Sequence, residues 1–173
     1  IDRNKNQLLA IKAIEEINKN FRNITLNIIG KDVDDTYYDE ILEYISNKNI
    51  KFVNFLGQLT SQDEIYKSDI TLMTSKDEAF PKTILESFLY KKLIIAPRIG
   101  GIPESIIHME NGLLYNANDI ESLTESIRYA IENIEEVNKM VDKASMRLIN
   151  KFDIDITHSK IKNFIYKVIE KRH

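Results

Sequence analysis

The stretch Thr74-Ser-Lys-Asp-Glu-Ala-Phe-Pro-Lys-Thr-Ile-Leu-Glu-Ser-Phe88 carries two carboxylates, Glu78 and Glu86, with seven residues between them. Proline suits the first position of a helix, where its missing N–H would be unpaired anyway, so Pro81 predicts a helix over 81–90 that contains Glu86. The first-turn amides after Pro81 have no partner inside such a helix, and with the helix dipole they form an anion site suited to a diphosphate, with no metal required. Glu78, just ahead of the helix, can accept hydrogen bonds from sugar hydroxyls, and Glu86 can take two adjacent ribose hydroxyls on its two oxygens. The array then matches a nucleotide sugar from end to end. Glutamates are common on solvated helix faces, so spacing alone is a weak argument. The context is stronger: a strand end, a short loop, Phe80-Pro81 at the helix start, and Gly100-Gly101 after the next strand.

The elements that must position these groups alternate along the chain. Ala10, Ala13, Ile14, Ile17 and Phe21 fall on one helical face, and TLNII at 25–29 then reads as a buried strand ended by Gly30. Tyr37, Tyr38, Ile41, Leu42 and Ile45 suit a helix, and Phe52 to Leu56 a strand ended by Gly57. Ser61 and Glu64 have capping-box spacing, which predicts a short helix over 61–67 before a strand at 70–74. Beyond the 81–90 helix come a strand at 93–96, a short helical segment at 103–108, a turn at Asn111-Gly112 and a strand at 113–115. Ile120, Leu123, Ile127, Ala130 and Ile134 define the next helix, 135–150 looks helical too, and Ile161 to Ile169 define the last. All five glycines fall at strand ends or turns. This alternation predicts an α/β fold, a Rossmann-like and mostly parallel sheet with helices on both faces, in which ligands bind beyond the carboxyl ends of the strands. The loops at 30–35, 57–61, 75–81 and 97–103 are therefore the ones that matter.

With 173 residues and 43% hydrophobic content, one domain over 1–173 is expected, with a core that needs no cross-link. The absence of cysteine excludes disulfides, zinc–thiolate sites and thiol redox chemistry, and fits the cytoplasm. Twenty-four basic and 27 acidic residues leave a net charge of −3, which argues against nucleic acid as a partner. No apolar run approaches the roughly 18 residues of a membrane span, and the polar opening IDRNKNQ is unlike a signal peptide. That opening, in mid-phrase and without an initiator Met, reads as an excised fragment.

Weaker clusters have plainer explanations. Asp32, Asp34 and Asp35 suggest a magnesium or phospho-acceptor pocket, but fit better as the N-cap and first turn of the following helix. His108, His158 and His173 have no ligand spacing, and Lys167, Lys171 and Arg172 read as a solvated face more readily than as a lipid-binding patch. Tyr37-Tyr38 reads as core and rim.

Glu78-Ala-Phe-Pro-Lys-Thr-Ile-Leu-Glu86, Ile99-Gly-Gly-Ile-Pro-Glu104 and Asn111-Gly-Leu-Leu together resemble the donor-binding domain of the group 1 retaining glycosyltransferases of GT-B fold. The resemblance is sharpest over 55–130 and reaches the start, where Lys5 matches the Lys of the family's phosphate-binding segment; the matching Arg falls upstream of Ile1. It implies the C-terminal, nucleotide-sugar-binding half of a two-domain enzyme of the kind that builds polysaccharides. A separate N-terminal half would meet the acceptor, a glycan or lipid-linked sugar. By the same resemblance Glu78 holds the transferred sugar as the catalytic-site carboxylate. The backbone from Ala79 and Phe80 through Pro81, Lys82 and Thr83 holds the phosphates, Glu86 the ribose, the Gln58-Leu59 loop the base, and Gly30 admits the nucleotide closely. The implied donor is a nucleoside-diphosphate sugar, with UDP the expected base, bound without a metal; the enzyme would be cytoplasmic, with peripheral association at the inner membrane face. Two rival readings are a nucleotide-sugar epimerase of similar architecture, for which no convincing acid and base residues are found, and a flavodoxin-like binding or receiver module. The chain departs from the family at Ala79, where Gly is usual, and at Lys91 and Leu93, which replace Gly and Pro; a Lys in a left-handed C-cap costs roughly 1 kcal/mol.

Overall fold

The computed structural model describes residues 1–21, 23–59 and 61–152, with backbone alone at 61–63 and 152. Helices and strands alternate as α1 (Gln7–Ile17), β1 (Leu26–Ile29), α2 (Asp35–Asn47), β2 (Val53–Gly57), α3 (Ser61–Lys67), β3 (Ile70–Leu72), α4 (Lys82–Leu89), β4 (Leu93–Pro97), α5 (Ile102–Ser105), β5 (Leu113–Tyr115), α6 (Ile120–Glu132) and α7 (Ile134–Phe152). The expected helix at 161–169, His158, His173 and the basic residues Lys167, Lys171 and Arg172 lie outside the described residues.

Every strand pairing is parallel, as the α/β alternation requires. The strands form two sheets rather than one: β1 pairs with β2, and β3, β4 and β5 pair in that order. The unpaired edges of β1 and β3 face the same cleft, lined by Leu26 to Ile29 on one side and Leu72 to Ser75 on the other. The separation falls where chain order along the layer reverses, which is where crevices open in α/β folds.

Period-two alternation sorts the strand residues. Leu93 and Ile95 of β4, with Leu113 and Tyr115 of β5, enter one core with Leu9, Ala13, Ile14 and Ile17 of α1, Leu123 and Ile127 of α6, and Val137 and Met140 of α7. Ile94, Ala96 and Leu114 point to the opposite face and meet Ile84 and Phe88 of α4 and Ala144 of α7. A third cluster joins Ile28 of β1 to Ile11 of α1 and Tyr37 and Ile41 of α2.

Local chemistry explains the helix ends. Asp34 caps α2 by accepting the Tyr37 amide at 2.9 Å, and Asp35 sits in the first turn, so the aspartate cluster serves a helix start. Pro81 precedes α4 as its N-cap, with φ −76° and ψ 126°, one position earlier than expected, because its extended ψ lets the loop arrive before the helix begins. At the other end of α4, Lys91 takes φ 53°, its amide bonds the Phe88 carbonyl at 3.3 Å, and the Lys92 amide bonds the Ser87 carbonyl at 2.9 Å. These bonds make a Schellman motif with lysine in the left-handed position. Ala79 keeps a negative φ, so its methyl is compatible with the loop. Smaller differences are that β3 ends at Leu72, α5 spans Ile102–Ser105, Phe21 lies beyond the end of α1, and Ile134 opens α7.

Candidate functional site

The cleft between the two sheets encloses about 450 Å³ and is lined by Lys5, Gln7 and Ala10 from the α1 region, by the facing strand edges, and by Glu78, Pro81, Lys82 and Thr83. Five expected site residues, Lys5, Glu78, Pro81, Lys82 and Thr83, therefore converge on one volume.

Lys5 and Glu78 are 73 residues apart in sequence, yet the Lys5 ammonium is bonded to Glu78 Oε1. The pair is asymmetric: the Lys5 side chain is 51% exposed and that of Glu78 only 13%. Several bonds fasten the two segments together. Thr74 donates its hydroxyl to the Lys5 carbonyl at 2.8 Å, the Lys76 amide donates to the Asn4 carbonyl at 2.7 Å, and the Asn4 side-chain amide donates to the Asp77 carbonyl at 3.1 Å. Behind this lacing, the Tyr115 hydroxyl donates to the Met73 carbonyl at 3.0 Å, tying β5 to the backbone that leads into the loop, and burial pushes the Tyr115 phenol well above its ordinary pKa.

The Gly100-Gly101 turn supports the same loop from below. The Gly101 amide donates to the Ala79 carbonyl at 3.0 Å. A Cβ on Gly100, whose φ is +47°, would sit 1.8 Å from the Glu78 carbonyl oxygen, and one on Gly101 would sit 2.1 Å from that of Ala79. The glycine pair is thus needed for backbone-to-backbone contact under the loop that carries Glu78.

The start of α4, Pro81 to Thr83, lines the cleft together with Lys5, so the positive end of a helix dipole and an ammonium paired with Glu78 border the same volume. Glu86 is four residues beyond Lys82, hence on the same face of α4 one turn further along. It is partly buried and does not line the cleft volume. Ala79 and Phe80 form the exposed shoulder of the loop. Gln58 and Leu59 are exposed beyond β2, outside the cleft. Gly30, with φ 142°, ends β1 and donates its amide to the Gly57 carbonyl at 2.9 Å; it too lies outside the cleft lining. Sequence reasoning passed over Thr74, Ser75 and Asn4 because short polar residues near a strand end carry no period. For Thr74 and Ser75 the proximity to Glu78 in the chain was the one available signal, and for Asn4 there was only its place beside Lys5.

His108 uses its Nδ1 to accept the Leu114 amide at 3.0 Å, a structural role in the α5–β5 turn. Among the described residues no group of three His, Cys, Asp or Glu is placed to hold a metal ion, and no helix is long and apolar enough to cross a membrane.

Parallel strands packed with helices, and a cleft between the facing edges of β1 and β3 that reaches the loop after β3, define a Rossmann-like domain of the kind found in GT-B enzymes. The family model of the glycosyl transferases group 1 matches residues 1–147, and the chain belongs to that family. Over 148 residues it is 30% identical to an uncharacterized glycosyltransferase of Methanocaldococcus jannaschii, a match covering 83% of this chain and 39% of the relative. A glycosyltransferase from Rickettsia africae superposes with a TM-score of 0.84 at 27% identity, over 98% of this chain and 46% of that one. The Anabaena protein HepE, solved in complex with UDP and glucose, shares the fold with a TM-score of 0.86 at 22% identity, over 96% of this chain and 46% of its own. The chain spans less than half the length of these relatives. Membership of this family favours neither the epimerase nor the receiver reading, and Asp34 of the Asp32, Asp34 and Asp35 cluster is a helix cap.

Proposed function

We propose that this chain is the donor-binding, C-terminal half of a retaining glycosyltransferase, and that its cleft holds a nucleoside-diphosphate sugar. The observation that carries this reading is the convergence of Lys5, Glu78 and the start of α4 on one cleft of about 450 Å³. In it, the amides of α4 and the Lys5 ammonium neutralise the diphosphate without a metal, and the Glu78 carboxylate accepts from hydroxyls of the transferred sugar. Glu86 takes the ribose, and the exposed Gln58-Leu59 loop lies against the base, with Gly30 admitting the nucleotide. The likeness to HepE, whose structure holds UDP and glucose, supports UDP as the nucleotide. An acceptor-binding N-terminal half of the same polypeptide completes the enzyme, which transfers to a glycan or lipid-linked acceptor at the cytoplasmic membrane face. The half-length match to the relatives supports that two-part architecture.

Titration with a nucleoside diphosphate and its sugar conjugate tests these assignments. Glu86→Gln leaves one good acceptor where there were two, so it weakens both ligands by roughly 1 to 3 kcal/mol, the scale of a hydrogen bond to a charged group. Glu78→Gln leaves the plain nucleotide unchanged and weakens only the sugar conjugate. EDTA changes neither affinity. Equal and negligible effects of both substitutions would overturn the reading, and a magnesium-restored loss in EDTA would remove its metal-free clause.

A further inference from the structure

The two oxygens of the Glu78 carboxylate are treated differently by the fold. Oε1 accepts from the Lys5 ammonium and also from the Ser75 hydroxyl, the latter at 2.9 Å. Oε2 takes part in no hydrogen bond among the described residues, and Glu78 lines the cleft. A carboxylate only accepts, so the oxygen left open is the one a ligand hydroxyl can reach.

The two donors on Oε1 are not equivalent. Lys5 is half exposed on a flexible four-carbon stem, and it is also the side chain that a diphosphate in the cleft attracts. Ser75 is 4% exposed, sits three residues ahead of Glu78 in the same loop, and has a single O–H proton, which it commits to Oε1. Its backbone is held on either side, by the Thr74 hydroxyl on the Lys5 carbonyl and by the Lys76 amide on the Asn4 carbonyl. When a bound diphosphate draws Lys5 away, Ser75 remains as the donor on Oε1.

We infer that Ser75 is a positioning residue for the sugar subsite: its hydroxyl fixes Glu78 Oε1 so that Oε2 faces the cleft and meets a hydroxyl of the donor sugar. The inference rests on the donor-binding reading above and adds to it the group that aims the carboxylate. Removing the hydroxyl leaves the carboxylate in place but frees it to rotate, which costs affinity only for ligands that use it.

The test is calorimetric titration of the intact polypeptide with UDP-glucose, UDP-N-acetylglucosamine and GDP-mannose, followed by the tightest of these and its parent nucleotide against Ser75→Ala, Glu78→Ala and the double variant. Ser75→Ala is expected to weaken the sugar conjugate about three- to tenfold, the scale of one hydrogen bond, and to leave the parent nucleotide within about twofold. In the Glu78→Ala background the same change is expected to add nothing, because the carboxylate it acts through is gone. Ser75→Thr, which keeps the hydroxyl, is expected to restore the preference for the conjugate over its parent. Equal losses for both ligands in Ser75→Ala, no loss for either, or a further loss on top of Glu78→Ala would each overturn the inference while leaving the donor-binding reading in place. Failure of all three conjugates to bind the unaltered polypeptide would instead overturn that reading and the inference with it.

Discussion

Every residue of β4 is buried, from Leu93 to Pro97, and so is every residue of β5, whereas β2 has no fully buried residue and β1 has one, Ile28. The three-stranded sheet lies between two apolar clusters, as a parallel sheet covered by helices on both faces should. In the two-stranded sheet the one fully buried side chain, Ile28, enters the third cluster, Leu26 also touches the edge of the main core, and Asn27 and Asn54, partners in its register, are exposed and bonded to each other at 2.9 Å. This difference has a functional consequence. The loop bearing Ser75 and Glu78 follows β3, the edge strand of the three-stranded sheet, with Thr71 its one buried residue, and the supporting glycine turn follows the fully buried β4, while β1 supplies the opposite wall of the cleft. The candidate sugar-binding loop is thus backed by the half with the larger buried core.

The comparison can be broken most directly by the same substitution in both halves. Ile95→Ala in β4 removes a side chain with no exposure between well-packed neighbours and should cost about 4 kcal/mol, near the top of the usual range; Ile28→Ala in β1, at 7% exposure beside an open face, should cost about 2. Urea unfolding of the two variants checks this, and equal losses would mean that the halves are equally tight.

Gly100→Ala should act next most strongly and sharpens the link between the buried sheet and the site. Its methyl would press on the Glu78 carbonyl from a left-handed backbone, so a stability loss of about 1 to 3 kcal/mol is expected together with weaker binding of a nucleotide sugar. Gly112→Ala is the control: its Cβ would meet Ile94 and Ile106 side chains at 3.0 and 3.1 Å, far from the loop, so it should affect stability alone. The pair is read by thermal melting and titration on the same samples.

The smallest expected effect is one of pH. Desolvation of the His108 ring, with a secondary contribution from the charge of Arg98, lowers its pKa below 6.5. Its Nδ1 must stay unprotonated to accept the Leu114 amide. A group whose folded pKa is lowered contributes stability that is complete above the unfolded value and is lost as pH falls through the folded one. The melting temperature should therefore drop slightly more from about pH 7.5 to about pH 5.5 in the unaltered chain than in His108→Gln, the window set by the ordinary histidine value. A steeper drop in the variant would reverse the assignment.

Much of the architecture was legible because its signals are local. Helix faces repeat every three to four residues, so α1, α2 and α6 are found where periodicity predicts them except that Phe21 and Ile134 fall outside, while capping-box spacing located α3 and a short apolar run located β5. The capping role of Asp34 was legible because it depends on neighbours within one turn, and the left-handed Lys91 because it stands where the resembled family has Gly. Pro81 was misplaced by one position because a proline fixes φ near −65° but leaves ψ to its surroundings, and here ψ is extended.

For the candidate site, Glu78 and the start of α4 could be singled out from residue type and context, whereas Lys5 was singled out by the family resemblance alone. Their relation to one another was not legible in the chain. That Lys5 meets Glu78 across 73 residues, that Ser75 shares the same carboxylate oxygen, and that Gly100 and Gly101 press on the backbone behind it follow from the stacking of α1, β3 and β4. The division of the strands into two sheets with a cleft between β1 and β3 is of the same kind. Periodicity records which face of an element is apolar, and that is a property of each element alone. Which polar groups then lie within 3 Å of one another depends on how the buried faces pack, and no single segment contains that information.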